Sequence, residues 1–184
     1  VSLSDPAYPE RLRGISDAPC GLFVRGRLPD PGKPAVAVVG ARDCTPYGRN
    51  LSEWFGGELA AAGVQILSGM ARGIDAYSHR GALKKGGATF AVLAGGADIC
   101  YPESNRDIYM ELERGGGILS ESPPGVRPLR HYFPLRNRIL SGLSDLVLII
   151  EAREKSGSLI TADYGLEQGR EVYAAPGPLG EALS

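Results

Sequence analysis

Residues 35–69 read AVAVVGARDCTPYGRNLSEWFGGELAAAGVQILSG. The opening run, 35–40, is short, apolar and rich in valine, and it ends in glycine. That is the composition of a strand buried on both faces. Residues 46–62 place Leu51, Phe55, Leu59 and Ala62 on one helical face, and 64–69 is a second apolar run closed by Ser-Gly. Strand, turn, helix and strand within thirty-five residues make a βαβ unit, which requires parallel strands.

The same pattern continues outward. A helix is expected over 74–85, stopped by Gly86-Gly87, followed by strand 88–96, helix 104–114, strand 116–122 and helix 134–142. Residues 145–152, DLVLIIEA, form the most apolar run and are expected at the centre of the sheet. Helix 158–169 and strand 170–177 complete the series. Unbroken alternation predicts an α/β, Rossmann-like, doubly wound and mostly parallel sheet with helices on both faces. That domain is assigned to 35–184. Residues 1–34 carry scattered anchors (Tyr8, Leu12, Ile15, Leu22, Phe23, Val24) among Pro and Gly. They are expected to form an extended lead-in packed on the core, with a short helical turn and one edge strand. The opening VSLSDPAYPERL reads as an internal boundary of a longer chain.

Bulk composition narrows the function. Hydrophobic residues make up 43%, enough for a packed core, and the formal net charge is −1. A polyanion site must therefore be a local patch. Three cysteines without CxxC spacing argue against a disulfide framework or a zinc site and suit a reducing cytoplasm. No apolar run is long enough to span a bilayer as a helix, so no membrane partner is expected.

In a doubly wound sheet, ligands lie beyond the carboxyl ends of the strands. The exits here carry Gly40-Ala41-Arg42, Ser68-Gly69, Gly95-Gly96, Ser120-Glu121, Glu151-Ala152 and Ala175-Pro176-Gly177. The GxGxxG spacing is absent after the first strand and no acid closes the second, so a nicotinamide or flavin cofactor is disfavoured. Arg42 stands where a guanidinium meets phosphate in that cleft, or where a solvated charge would serve equally. Ser68, Gly69 and Gly73 form a candidate phosphate nest, with Asp75 as the expected cap of the next helix. Ser68, His79 and Asp75 lack the GxSxG elbow of a hydrolase.

In GVRPLRHYFPLRNRILSGLSD, 125–145, Arg127, Arg130, Arg136 and Arg138 alternate with Tyr132 and Phe133. Two readings stand: guanidinium for phosphate and ring for base along a single strand, or a solvated basic face over a buried phenylalanine. Ser156 and Gly157 open the helix at 158 either as an anion site or as a plain hydroxyl cap.

FPLRNRILSGLS (133–144), KSGSLITA (155–162), LEQGREVYAAPG (166–177), AVLAGGADICYPESN (91–105), SGMARGIDAYSHRGAL (68–83) and GARDCTPYG (40–48) are long, ordered and co-linear. Together they resemble the DNA-processing protein A (DprA/Smf) family over nearly the whole chain. The resemblance implies a Rossmann-like domain that binds single-stranded DNA without marked sequence preference. It also implies a role in natural transformation, protecting incoming DNA and loading RecA, with no catalytic residues, metal or cofactor. It assigns the DNA pocket to Arg42, Arg130 and Phe133, with Gly40, Ala41, Ser68, Gly69, Asn137, Ser156 and Gly157 in matching segments. The family's flanking small domains are not found, and the chain stops at PGPLGEALS, before the helix through which the family dimerises. The rival is a related nucleotide phosphoribohydrolase (lysine-decarboxylase-like). Its PGGxGTxxE motif needs a glutamate that KSGSLITADYG lacks. A bare scaffold with a vestigial pocket is a third reading, opposed by the intact Arg42 and Phe133.

Overall fold

The computed structural model describes residues 1–154 and 156–177; Lys155 of the KSGSLITA run and the stretch from Pro178 onward, on which the dimer-helix expectation rests, lie outside the described residues. Among the described residues seven strands form one sheet: β1 (Phe23–Gly26), β2 (Ala35–Val39), β3 (Gln65–Ser68), β4 (Thr89–Leu93), β5 (Gly117–Ser120), β6 (Leu146–Ile149) and β7 (Glu171–Ala174). Their order is β1-β5-β4-β3-β2-β6-β7, parallel except for β1, which runs antiparallel to β5. The helices are α1 (Glu10–Arg13), α2 (Pro46–Ala61), α3 (Ile74–Lys84), α4 (Arg106–Gly115), α5 (Tyr132–Leu143) and α6 (Gly157–Glu167).

Strand alternation assigns the two faces. In β2, Ala35, Ala37 and Val39 point into a core shared with Leu140, Leu143 and Ala162 of α5 and α6. Val36 and Val38 of the same strand join Ala60, Ile74 and Ala82 of α2 and α3 on the opposite face. Helices therefore cover both faces, as the strand–helix alternation predicts. The lead-in sends Tyr8, Leu12, Ile15 and Leu22 into the α5–α6 core, and β1 forms one edge of the sheet. Arg138 of α5 holds that segment with Nε on Asp17 Oδ2 at 2.9 Å and a bidentate pair to Glu121 at 2.9 and 3.0 Å.

Three expectations are corrected. The apolar 145–152 run is not central. It gives β6, between β2 and β7, while β3 occupies the middle of the sheet. Its hydrophobicity reflects helices on both sides and a strand on each edge, which any interior strand has. The 88–96 run leaves the sheet after Leu93, where Gly95 and Gly96 turn under the 123–128 loop and Gly96 N donates to Val126 O at 2.8 Å. The deep face of α2 is not the Leu51–Phe55–Leu59–Ala62 stripe. Gly48, Ser52, Gly56 and Ala60 are buried instead, because α2 and α3 lie in backbone contact. A Cβ on Gly56 would stand 2.3 Å from Ser78 O, and one on Gly81 would stand 2.0 Å from Glu53 O. Periodicity of large apolar residues cannot report a contact made by small ones.

Candidate nucleic-acid interface

Successive strands step from β2 through β3 and β4 to β5 in one direction. The chain then returns to the other side of β2 for β6 and β7. The reversal lies between β2 and β6, and a crevice opens there beyond the strand ends, where the connections diverge. It is a cleft of about 770 Å³ lined by Gly40, Ala41 and Arg42 after β2, by Arg153, Ser156 and Gly157 after β6, and by Arg130, Phe133 and Asn137 around the start of α5.

The local backbone explains how Arg42 is aimed. Ala41 N donates to Glu151 O at 2.7 Å, and Ala41 O accepts from Ile74 N at 3.1 Å. The turn is thus clamped between β6 and α3. Gly73 is needed at φ +76°, where a Cβ would meet Ala41 O at 2.2 Å. Arg42 then projects into the cleft with its guanidinium carbon 5.0 Å from the Phe133 ring centroid. Tyr101, half exposed, packs on the other partner of that pair, with its ring centroid 6.1 Å from Phe133. A cation, an accessible aromatic and backbone turns rich in small residues therefore face one space. The arrangement can hold phosphate by charge and a flat ring by stacking.

Not every candidate faces that space. Ser68 is buried and its hydroxyl donates to Val38 O at 2.6 Å. The anion held by the Ser68–Gly69 turn is internal: Asp75 Oδ2 accepts from Gly69 N at 3.1 Å and Ala71 N at 3.4 Å. Asp75 is accordingly not the cap of α3; Gly73 holds that position. Gly69 borders a small side groove with Tyr101 and Phe133. The start of α2 is likewise occupied from within, since Glu151 accepts from Thr45 N at 2.9 Å and from the Thr45 hydroxyl. Ser156 caps α6 by accepting from Ser158 N at 3.2 Å. Asn137, largely buried, lines the cleft and donates to Gly157 O at 3.1 Å, tying α5 to the start of α6. The Ser68, His79 and Asp75 side chains are not joined in a triad, because His79 Nδ1 pairs with Thr89 Oγ1 at 2.7 Å.

The four arginines of the 125–145 segment separate. Arg130 is exposed and lines the cleft, and Arg127 is exposed without lining it. Arg138 is the structural ion-pair partner described above. Arg136 is buried, donates to Val92 O and to Asn137 Oδ1, and fills the space left by Gly69. Burial lowers its pKa to about 10 against the opposing pull of Asp75. Burial raises the Asp75 carboxyl, with Arg136 pulling the other way. His79 is depressed to about 3 by burial first and by Arg136 second. Asp75 and Arg136 are both buried, so among the described residues the cleft's exposed charges are Arg42, Arg130 and Arg153 against Asp43.

Among the lining residues not singled out from the sequence, Tyr101 and Arg153 carry the chemistry. Tyr101 sits in the quoted 91–105 run, and Arg153 follows the β6 exit, so strand-end position was the available signal. Arg136 also had a signal. It precedes Leu140 by four residues and Leu143 by seven, on the buried stripe of α5. Among the described residues no group of three or more His, Cys, Asp or Glu is placed to hold a metal ion. No described helix is long and apolar enough to cross a membrane.

Comparison with known proteins gives a consistent result. Residues 1–184 match the family model described as DNA recombination-mediator protein A. The chain is 47% identical over 174 residues to protein Smf of Escherichia coli, covering 94% of this chain and 46% of that protein. It is similar to the crystal structure of DNA processing protein A from Streptococcus pneumoniae, with 41% identity, a TM-score of 0.93, and 100% and 64% of the two chains covered. It is also similar to DNA processing protein A from Helicobacter pylori, whose structure addresses its single-stranded DNA binding mode. There the identity is 31% and the TM-score 0.86, over 95% of this chain and 80% of that one. The chain thus spans about half the length of the Smf protein and under two thirds of the pneumococcal one.

Proposed function

The chain belongs to the DNA recombination-mediator protein A family, and from that membership we propose that its cleft binds single-stranded DNA without marked sequence preference. The observation that carries this reading is the Arg42 guanidinium set 5.0 Å over the Phe133 ring in the switch-point cleft. Arg42 and Arg130 take phosphate oxygens, and Phe133, with Tyr101 beside it, takes a base. Gly40, Ala41, Ser156 and Gly157 form the walls along which the backbone passes. Asn137 lines the cleft at the start of α6, and Ser68 and Gly69 hold the walls from behind. Binding by the Helicobacter pylori relative supports the ligand class. The wider role follows the family: protection of incoming DNA in the cytoplasm during natural transformation, delivery of that DNA to RecA, and action as a homodimer. The protein acts by binding and not by catalysis, a reading supported by the separation of Ser68, His79 and Asp75 into unrelated hydrogen bonds.

A salt titration of oligo-dT binding tests the site. Arg42→Ala and Arg130→Ala should each flatten the dependence of log K on log salt by about 0.7, the value for one phosphate on a single strand. Phe133→Ala should weaken binding by about 1–3 kcal/mol with little change in slope. Binding of all three variants at the parent level refutes the site. Release of free base from nucleoside monophosphates would overturn the non-catalytic reading.

A further inference from the structure

Seven exposed arginines have neither an ion pair nor a side-chain hydrogen bond among the described residues: Arg42, Arg49, Arg72, Arg106, Arg127, Arg130 and Arg153. Each lies in a connection that leaves a parallel strand, or in the first turn of the helix that follows. All seven therefore stand at one end of the sheet. The cations with carboxylate partners are placed elsewhere: Arg11 and Arg13 in α1, Arg25 in β1, Arg80, Lys84 and Lys85 in and just past α3, Arg114 late in α4, and Arg138 in α5. Among the described residues the exposed acids at the same end are Asp43, Asp98, Glu103, Asp107, Glu121 and Glu154, of which Asp107 is paired with Arg80 and Glu121 with Arg138. Asp98 is already engaged by Gly125 N at 3.0 Å. A surface of this kind, on a chain with net charge −1, concentrates its cations against the overall balance.

Arg42, Arg130 and Arg153 line the cleft, and Arg127 lies three residues before Arg130 in the same connection. Arg49, Arg72 and Arg106 do not line it. They form a second group on the α2–α3–α4 side, joined to the cleft by covalent and hydrogen-bonded steps. Ala71 lines the cleft and precedes Arg72. Ala71 O accepts from Asn105 Nδ2 at 3.2 Å, and Arg106 follows Asn105. Tyr77 N bonds Gly73 O at 3.1 Å, and the Tyr77 ring holds the Arg49 guanidinium carbon 4.8 Å from its centroid. Arg80 reaches the same ring at 5.9 Å and is tied to Asp107. The ring is half-buried and carries guanidinium groups, so it fixes Arg49 at the rim and leaves this group to contact phosphate.

We propose that the cleft is the inner part of a longer track, and that the sugar–phosphate chain of a bound single strand continues outward across Arg72, Arg106 and the Tyr77-held Arg49. The inference rests on the reading of the cleft as a single-strand site. It adds an outer segment that recognises phosphate and reads no base.

The test compares oligo-dT of about 4 nucleotides with oligo-dT of about 16, lengths that bracket a single-domain site. The subject is Arg72→Ala combined with Arg106→Ala. Affinity for the short oligonucleotide should stay within about twofold, while the long one should bind roughly tenfold more weakly, with a salt slope lower by about 1.4. A parent-like slope and affinity for the long oligonucleotide would overturn the track. So would an equal loss on both lengths. Lys84→Ala combined with Arg114→Ala removes two cations away from the strand-exit end and should leave both lengths unchanged; a matching loss there assigns the effect to net charge and also overturns the track. Arg42→Ala separates the two claims. It should weaken both lengths, and if it weakens neither, the cleft reading fails while the double variant still decides the outer segment.

Discussion

Replacing Arg136 with Met should cost the fold more than the binding of DNA. The side chain is 7% exposed, donates to Val92 O and to Asn137 Oδ1, and feels the charge of the buried Asp75 carboxyl. Removing one partner of a buried charge pair leaves the other uncompensated, which costs about 3–5 kcal/mol. Two features lower the figure here. Asp75 keeps its hydrogen bonds from Gly69 and Ala71, and its raised pKa lets it take up a proton. Methionine also refills most of the volume. The expected loss is therefore about 3 kcal/mol in urea unfolding, with an unchanged m-value. Asp75→Asn combined with Arg136→Met should recover at least about 1 kcal/mol relative to the sum of the single changes. The salt slope of oligo-dT binding should hold, in contrast to Arg42→Ala. A loss under about 1 kcal/mol, or strict additivity with Asp75→Asn, would refute the assignment of Arg136 to the interior clamp.

Two further outcomes can be measured directly. His79 has its pKa lowered to about 3 in the fold from 6.5, so the unfolded chain binds the proton first. The stability that the neutral ring provides is complete above the unfolded value and drains away as pH falls from about 6.5 towards 3, up to roughly 4–5 kcal/mol. His79→Gln should flatten urea midpoints across that window, and an unchanged acid slope would contradict the burial argument. Leu12→Ala should cost about 2–5 kcal/mol, because Leu12 is fully buried and its Cδ2 lies where a Cβ on Gly142 would meet it at 2.8 Å. A cost below about 1 kcal/mol would mean that the lead-in is dispensable to the core.

The legible parts of this protein were those with a local cause. Parallel strands need crossovers, so the alternation of apolar runs and helical stripes was enough to predict the sheet class and the end at which the cleft opens. The edge strand before residue 35 was legible in the same way. The arginine after β2 and the phenylalanine in the first turn of α5 could be marked as candidates, because strand exits and helix starts are local features.

What each polar side chain meets was decided only when distant segments came together. Arg130 and Arg136 are six residues apart and look alike in sequence, yet one is exposed at the cleft and the other is buried against Gly69. Asp75 resembled a cap and instead supplies the anion for the turn after β3. The depth of the α2–α3 contact depends on glycines that carry no hydrophobic signal. The strand order, with β3 and not β6 in the middle, follows from which helix returns on which side. Propensity and periodicity sum interactions over a few neighbouring residues. The partners of a charge, the closeness of two helices and the order of a sheet are set by contacts between residues far apart in the chain, which only the packed fold defines.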